Sequence, residues 1–298
     1  MFLIIIHKYL DLLPIIIHNY LNRGLKYMPR YLRSWDKSKY TKYLNEGRGQ
    51  GELSSYKPWI TVQSFPSRGM VSRVYGCKTN RIHHLLSSNE LCFFYTLDWS
   101  DSVIDIREQY PLLDLELAMQ IADKLEIRYP YDNISGFPYV LTSDFMITTT
   151  SGIKVRTIKM VSELTKRRVL EKLAIERKYW EMQGVDWAII TDREINKQKA
   201  YNIEWLTQAR DLRDFAIDDD LASMITMRFL EYCTDLDMTY LDIATRIEIE
   251  FNLSQGIGVC VFKYLTYKKK IAVNVDEGQL PNTLVSPRNA KTTMLGVI

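Results

Sequence analysis

No C-x-x-C pair occurs in this sequence. Its four cysteines, Cys77, Cys92, Cys233 and Cys260, lie far apart, which argues against a zinc site and against a stapled secreted domain and fits a reducing cytoplasm. A charge excess is missing too. Lys and Arg number 39 against 36 Asp and Glu, a net charge of +3, so any nucleic-acid footprint must come from local clusters rather than the overall field. Nor is there an apolar run long enough to span a bilayer. The opening MFLIIIHKYLDLLPIIIHNYLNRGLKY is interrupted by His7, Lys8, Asp11, Pro14 and His18, and it lacks the basic start and small-residue cleavage site of a signal peptide. Residues 1–27 therefore read either as a short amphipathic helix or, preferred, as an extra N-terminal segment ahead of a working start at Met28. GRGQGE, Gly47 to Glu52, lacks the Lys-Ser/Thr ending and preceding strand of a phosphate-binding P-loop.

What is present is a chain of 298 residues, 46% hydrophobic and 25% charged, a balance that suits a folded soluble protein of about two domains. Three separated elements carry candidate chemistry. Glu90 lies in LLSSNELCFFYTL, where Leu85, Leu86, Phe93, Phe94 and Leu97 recur at a mostly helical period. Asp144 sits in YVLTSDFMITTT, rich in β-branched and aromatic residues and broken at Ser151-Gly152, the first arm of a predicted hairpin. The return arm KVRTIKMV ends on Lys159. Alternation along a strand points Thr157 and Lys159 one way, Arg156 and Ile158 the other. A helix Glu followed by a strand Asp, a turn and an x-Lys pair is the set that metal-dependent DNA cleavage needs: hard oxygen ligands for Mg²⁺, and a lysine to orient water or steady charge. Spacing alone leaves open charged strands with no catalytic role.

Along the chain, Met28 to Asn45 is basic and tyrosine-rich and reads as a solvated arm. Arg48, Arg68, Arg73, Lys78 and Arg81, interleaved with Tyr56, Trp59, Phe65 and Tyr75, form a candidate DNA-backbone surface, with an ordinary charged loop as the alternative. His83 and His84 are expected to pack, with contact to phosphate as the alternative. VIDIREQYPLL predicts a strand ending at Pro111, in which Arg107, Glu108 and Gln109 help shape the site; Glu108 makes a structural ion pair with Arg107 or another base, a further metal ligand being the alternative. LELAMQIADKLEI predicts an amphipathic helix, SELTKRRVLEKLAIERKYWEMQG a long one closed by Gly184, and VDWAIITD a buried strand. Glu176 on the long helix is a minor metal candidate, its default use being i to i+4 pairing. The pattern breaks at INKQKAYNIEWL, which places a boundary near 197–202. Beyond it three helices and a hairpin through Lys268, Lys269 and Lys270 describe a winged helix, a module that binds DNA or docks proteins; the acidic first helix favours docking, and a polar tail follows Leu280.

Together GRGQGE, YKPWITVQSFPSRG, GCKTNRIHHLLSSNE, VIDIREQYPL, TSDF and the return-strand lysine resemble the TnsA family, the endonuclease subunits of heteromeric cut-and-paste transposases. The resemblance covers the chain from about Met28 into the C-terminal helices. It implies an α/β fold, with a restriction-endonuclease-like mixed-sheet domain over 28–199 and a mainly α, winged-helix-like domain over 200–298. It implies a Mg²⁺-dependent cut (Mn²⁺ substituting) of the non-transferred 5′ strand at transposon ends. It also implies a TnsB-type DDE transposase as partner and a TnsC-type AAA+ ATPase contacted through the C-terminal domain, all in the cytoplasm. By position, Glu90 and Asp144 become metal ligands and Lys159 the water-positioning base or charge stabiliser. Thr157 stands where the family usually has Gln, and its backbone carbonyl becomes a ligand. Rival readings are a stand-alone restriction or junction-resolving nuclease and a non-catalytic bridge between transposase and ATPase.

Overall fold

A computed structural model of the chain describes residues 35–64, 70–276, 278 and 280–285. The extra segment 1–27, Arg68 and the tail beyond Val285 lie outside the described residues. The first element, α1 (Lys37–Asn45), is capped by Asp36, whose side chain accepts the Lys39 N–H. It is no solvated arm. Trp35 and Tyr43 are buried with Trp59 and Val140, because aromatic rings this large gain more by edge-to-face packing than by hydration.

Next comes a hairpin that periodicity did not reveal, β1 (Ser72–Gly76) paired antiparallel with β2 (Arg81–Leu85). Gly76 is required there, since a Cβ would stand 2.5 Å from His83 Nε2. Leu85, counted above toward a helix, is the last residue of β2. Helix α2 (Ser88–Trp99) begins only after Ser87, whose hydroxyl accepts the Glu90 N–H.

Four strands form the central sheet in the order β3 (Val103–Pro111), β4 (Thr142–Thr149), β5 (Gly152–Lys159), β6 (Asp186–Thr191). The first three run antiparallel and β6 joins β5 in parallel, a crossover carried by α4 (Arg167–Met182). As a sheet edge, β6 is half-buried along most of its length rather than fully buried as expected. One face of the sheet packs Ile106, Phe145, Ile147 and Ile158 against Phe94 and Leu97 of α2 and Ala200 and Ile203 of α5 (Lys197–Leu206). The other packs Met146 and Val155 against Ile121 of α3 (Leu115–Lys124) and Ile175, Tyr179 and Trp180 of α4.

The C-terminal part contains α6 (Asp219–Tyr232), α7 (Tyr240–Glu250) and α8 (Ile257–Tyr267) around Phe229, Tyr240, Ile247, Phe262 and Leu265. The predicted wing is corrected here. Lys268 to Lys270 directly follow α8, and the β-pairing in this region among the described residues is one isolated bridge, Thr239 to Leu284. Tertiary packing carries this stretch as helix up to the three lysines. Val261, Phe262 and Leu265 bury at helical spacing, and α8 lies so close to α7 that a Cβ on Gly258 would meet the Ala244 carbonyl. The boundary expected at 197–202 falls inside α5, which packs into both cores through Ile203 on one side and Leu206 on the other.

Candidate active site

The site lies where the sheet splits. β4 and β5 pair from Thr149↔Gly152 to Phe145↔Arg156; past that point β5 stays with β6 as far as Lys159↔Thr191 and leaves β4. Asp144 fills the opening. Its Oδ2 accepts the Ile158 N–H at 2.6 Å and the Lys159 Nζ at 3.2 Å, so a carboxylate takes the place of a main-chain acceptor. Burial disfavours the Lys159 charge, but Asp144 first and then Glu176 and Glu90 outweigh it and raise its pKa. The ammonium therefore stays charged inside the site.

Glu90 reaches the same locus from α2. Its Oε1 accepts the Ser87 hydroxyl at 2.9 Å, and its Oε2 accepts the Leu86 N–H at 2.9 Å and the Gln109 Nε2 at 3.2 Å. Burial, and then the nearby Asp144 charge, push its carboxyl up to about 7, against the opposing pull of Lys159. Two carboxylates and an ammonium thus feel one another across a gap between helix and hairpin.

Glu176 does not pair along its own helix as its default use would have it. Glu171 and Glu181 take that role with Arg167, Arg168 and Arg177. Glu176 is instead buried beneath the split, where its Oε1 accepts the Ser143 hydroxyl at 2.6 Å, the Trp187 indole N–H at 3.0 Å and the Thr157 hydroxyl. Burial raises its pKa, and the Asp144 charge adds to that. The Thr157 side chain is thereby committed to Glu176, and a ligand from this residue has to be its backbone carbonyl.

Lys172 escaped sequence reasoning. It stands one helical turn before Glu176, on the same face of α4. Its side chain is exposed at the surface, yet partial desolvation by the surrounding protein, and then the neighbouring charges of Arg168 and Lys159, lower its pKa. Among the described residues it has no carboxylate partner. An i, i+4 count from Glu176 finds it once Glu176 is known to face the site.

The donor chemistry fits a hard divalent cation, since every group offered is oxygen. Among the described residues no three His, Cys, Asp or Glu side chains converge as a ready-made cluster. Glu90 and Asp144 would hold the ion with help from a main-chain carbonyl such as that of Thr157.

The expected DNA-backbone residues divide. Arg73 is exposed and Lys78 half-buried. Arg48 is occupied internally, its guanidinium 3.6 Å from the Tyr43 ring centre, with a 2.8 Å bond to Glu46 and another to the Trp59 carbonyl. Arg81 is corrected outright: its side chain is 7% exposed and grips Glu108 with both terminal nitrogens, at 2.8 and 2.5 Å. Glu108, fully buried, also contacts His83 Nδ1 at 2.7 Å. Burial opposes its charge, yet His83 and Arg81 hold its carboxyl well below the usual range. Glu108 is in a structural ion pair as expected, its base being Arg81, and His83 packs as expected.

A family model described as TnsA-like endonuclease N terminal matches residues 100–192, and one described as TnsA endonuclease C terminal matches residues 194–275. The Transposon Tn7 transposition protein TnsA of Escherichia coli is 35% identical over 235 residues, which cover 78% of this chain and 84% of that protein. The chain belongs to the TnsA family. It is therefore a DNA endonuclease, a subunit of the TnsA kind that serves transposition. The N-terminal TnsA match contains Asp144, Thr157, Lys159 and Glu176, and Glu90 lies ahead of it on α2. The two TnsA matches adjoin just before α5, whereas the packing of α5 ties it to both cores. No helix among the described residues is long and apolar enough to cross a membrane.

Proposed function

We propose that this endonuclease cuts the non-transferred 5′ strand at transposon ends, using Mg²⁺ or Mn²⁺ held by Glu90, Asp144 and the Thr157 carbonyl. The observation that carries the reading is the split between β4 and β5, where Asp144 accepts both the Ile158 N–H and the Lys159 ammonium with the Glu90 carboxyl in electrostatic reach. A divalent cation bound there supplies neutralisation of phosphate charge and a lowered pKa for the attacking water. Lys159, kept charged by the surrounding carboxylates, orients that water or steadies the charge that grows on the phosphate. Glu176 anchors β4 to β5 through Ser143 and Thr157 and so fixes the width of the opening. Lys172, free of any carboxylate among the described residues, takes a neighbouring DNA phosphate, and the exposed Arg73 and half-buried Lys78 are separate candidates for contact with the DNA backbone.

End recognition comes from a TnsB-type DDE transposase, and a TnsC-type AAA+ ATPase docks on the C-terminal helices. Cleavage by the isolated chain is correspondingly weak. The test is purified protein with its transposase, transposon-end DNA and Mg²⁺ or Mn²⁺. Asp144→Ala should fold and enter the complex but lose 5′-end nicking by about a hundred- to a thousandfold, the scale of removing a key charge-stabilising group. Nicking at the normal rate by that variant would sink the assignment. Efficient cutting by the wild-type chain alone would favour a stand-alone nuclease.

A further inference from the structure

Gln109 is set apart by three properties. It is 2% exposed, it lies inside β3, and its φ is +50°, in the left-handed region where a residue with a side chain is strained. The consequence is visible in the strand. Before it, Ile106 and Glu108 face α2 and β2; after it, Tyr110 and Leu112 face α3 and α4. One left-handed residue rotates the strand so that even-numbered side chains change faces.

The turned residue reaches Glu90. Its Nε2 donates to Glu90 Oε2 at 3.2 Å, its Oε1 accepts the Thr142 hydroxyl at 3.5 Å and its carbonyl accepts the Trp59 N–H at 3.3 Å. The two other hydrogen bonds to the Glu90 carboxylate come from Leu86 and Ser87, at the start of its own helix. They orient Glu90 relative to α2. The Gln109 amide alone among these three binds it to the sheet, through β3 to the adjacent β4 that carries Asp144. We propose that Gln109 is a positioning residue, held in a strained backbone conformation so that its amide sets the Glu90 carboxylate at the correct distance and angle from Asp144. The inference rests on Glu90 being a cation ligand.

The test measures Mn²⁺ binding by calorimetry and the metal-free melting temperature of the full-length chain, for wild type, Glu90→Gln, Gln109→Met and Gln109→Gly. Methionine keeps the length and removes the donor. Glycine also removes the donor and accepts the left-handed backbone without strain. Expected is a loss of Mn²⁺ affinity of about tenfold in both Gln109 variants, the scale seen when a residue orienting a metal ligand is removed. Gln109→Gly should melt at or above the wild-type temperature. Wild-type affinity in Gln109→Met, with affinity lost in Glu90→Gln, overturns the role of Gln109 alone. Unchanged affinity in Glu90→Gln overturns the ligand reading and this inference with it. A Gln109→Gly chain that loses binding and melting temperature together makes Gln109 a merely structural residue, and the proposal fails.

Discussion

Cation binding should release a proton from Glu90, and the size of the effect follows from its surroundings. Burial and the Asp144 charge push the Glu90 carboxyl up to about 7 from an ordinary 4.5. Because the folded value is raised for an acid, the charged form is the penalised one. The metal-free fold is free of the penalty below about pH 4.5 and carries it fully above about pH 7, at most about 3 kcal/mol. A divalent cation reverses the sign by supplying the missing counter-charge, but it must displace the proton first. At about pH 6 roughly nine-tenths of metal-free molecules hold that proton and at about pH 8 roughly one-tenth. Apparent affinity should therefore rise about tenfold between these values, or about 1.4 kcal/mol. Calorimetry with Mn²⁺ in buffers of different ionisation enthalpy reads the proton directly: close to one released per site at the lower pH, little at the higher. Affinity and proton count that do not change between the two would refute the claim that the Glu90 carboxyl is both buried and a ligand.

Two further outcomes follow from the same charges. Glu108→Gln leaves Arg81 buried without its counter-charge, a loss of about 3–5 kcal/mol. Denaturant unfolding should show it, and a loss below about 1 kcal/mol would mean that Arg81 finds water instead. Lys172→Ala should weaken DNA binding by about tenfold and make it less sensitive to salt, with melting temperature unchanged because no carboxylate loses a partner. An unaltered salt slope would remove Lys172 from the DNA path.

Much of the sheet domain was legible because its elements obey simple periods. Alternation in TSDFMITT and KVRTIKMV placed Thr157 and Lys159 on one face, and the Ser-Gly break placed the turn between them. The charged apolar stretch after Lys166 showed the long helix and its Gly184 end. Illegible were the features that depend on what crosses from elsewhere in the chain. Arg81 reads as a surface cation until Glu108, which comes from another strand, closes on both of its nitrogens. Glu176 reads as one of several helix acids until Thr157 and Ser143 arrive from separate strands. The left-handed turn at Gln109 has no residue-type marker at all, since neither Gly nor Asn stands there. The expected hairpin through Lys268 to Lys270 failed because helix α8 runs up to Tyr267 and the lysines merely follow its end.

The least expected element is also the one that ties the catalytic and C-terminal parts together. A break in periodicity at INKQKAYNIEWL reads as a domain boundary, but α5 is a helix capped by Asn196, and its two sides serve different cores. Ala200 and Ile203 press on α2, the helix that presents Glu90, while Leu206 enters the core formed by α6, α7 and α8. Polar contacts reinforce the junction. Tyr95 of α2 donates to Glu204, Asn202 donates to the Val275 carbonyl, and Lys269 sits 3.8 Å from the Trp99 ring centre while bonding the Trp99 carbonyl. A partner that shifts the C-terminal helices therefore acts on packed side chains one layer from α2 rather than on a flexible tether. Packed interfaces move between discrete arrangements more readily than they stretch, so docking on α6 to α8 has a physical route to the placement of the Glu90 carboxylate.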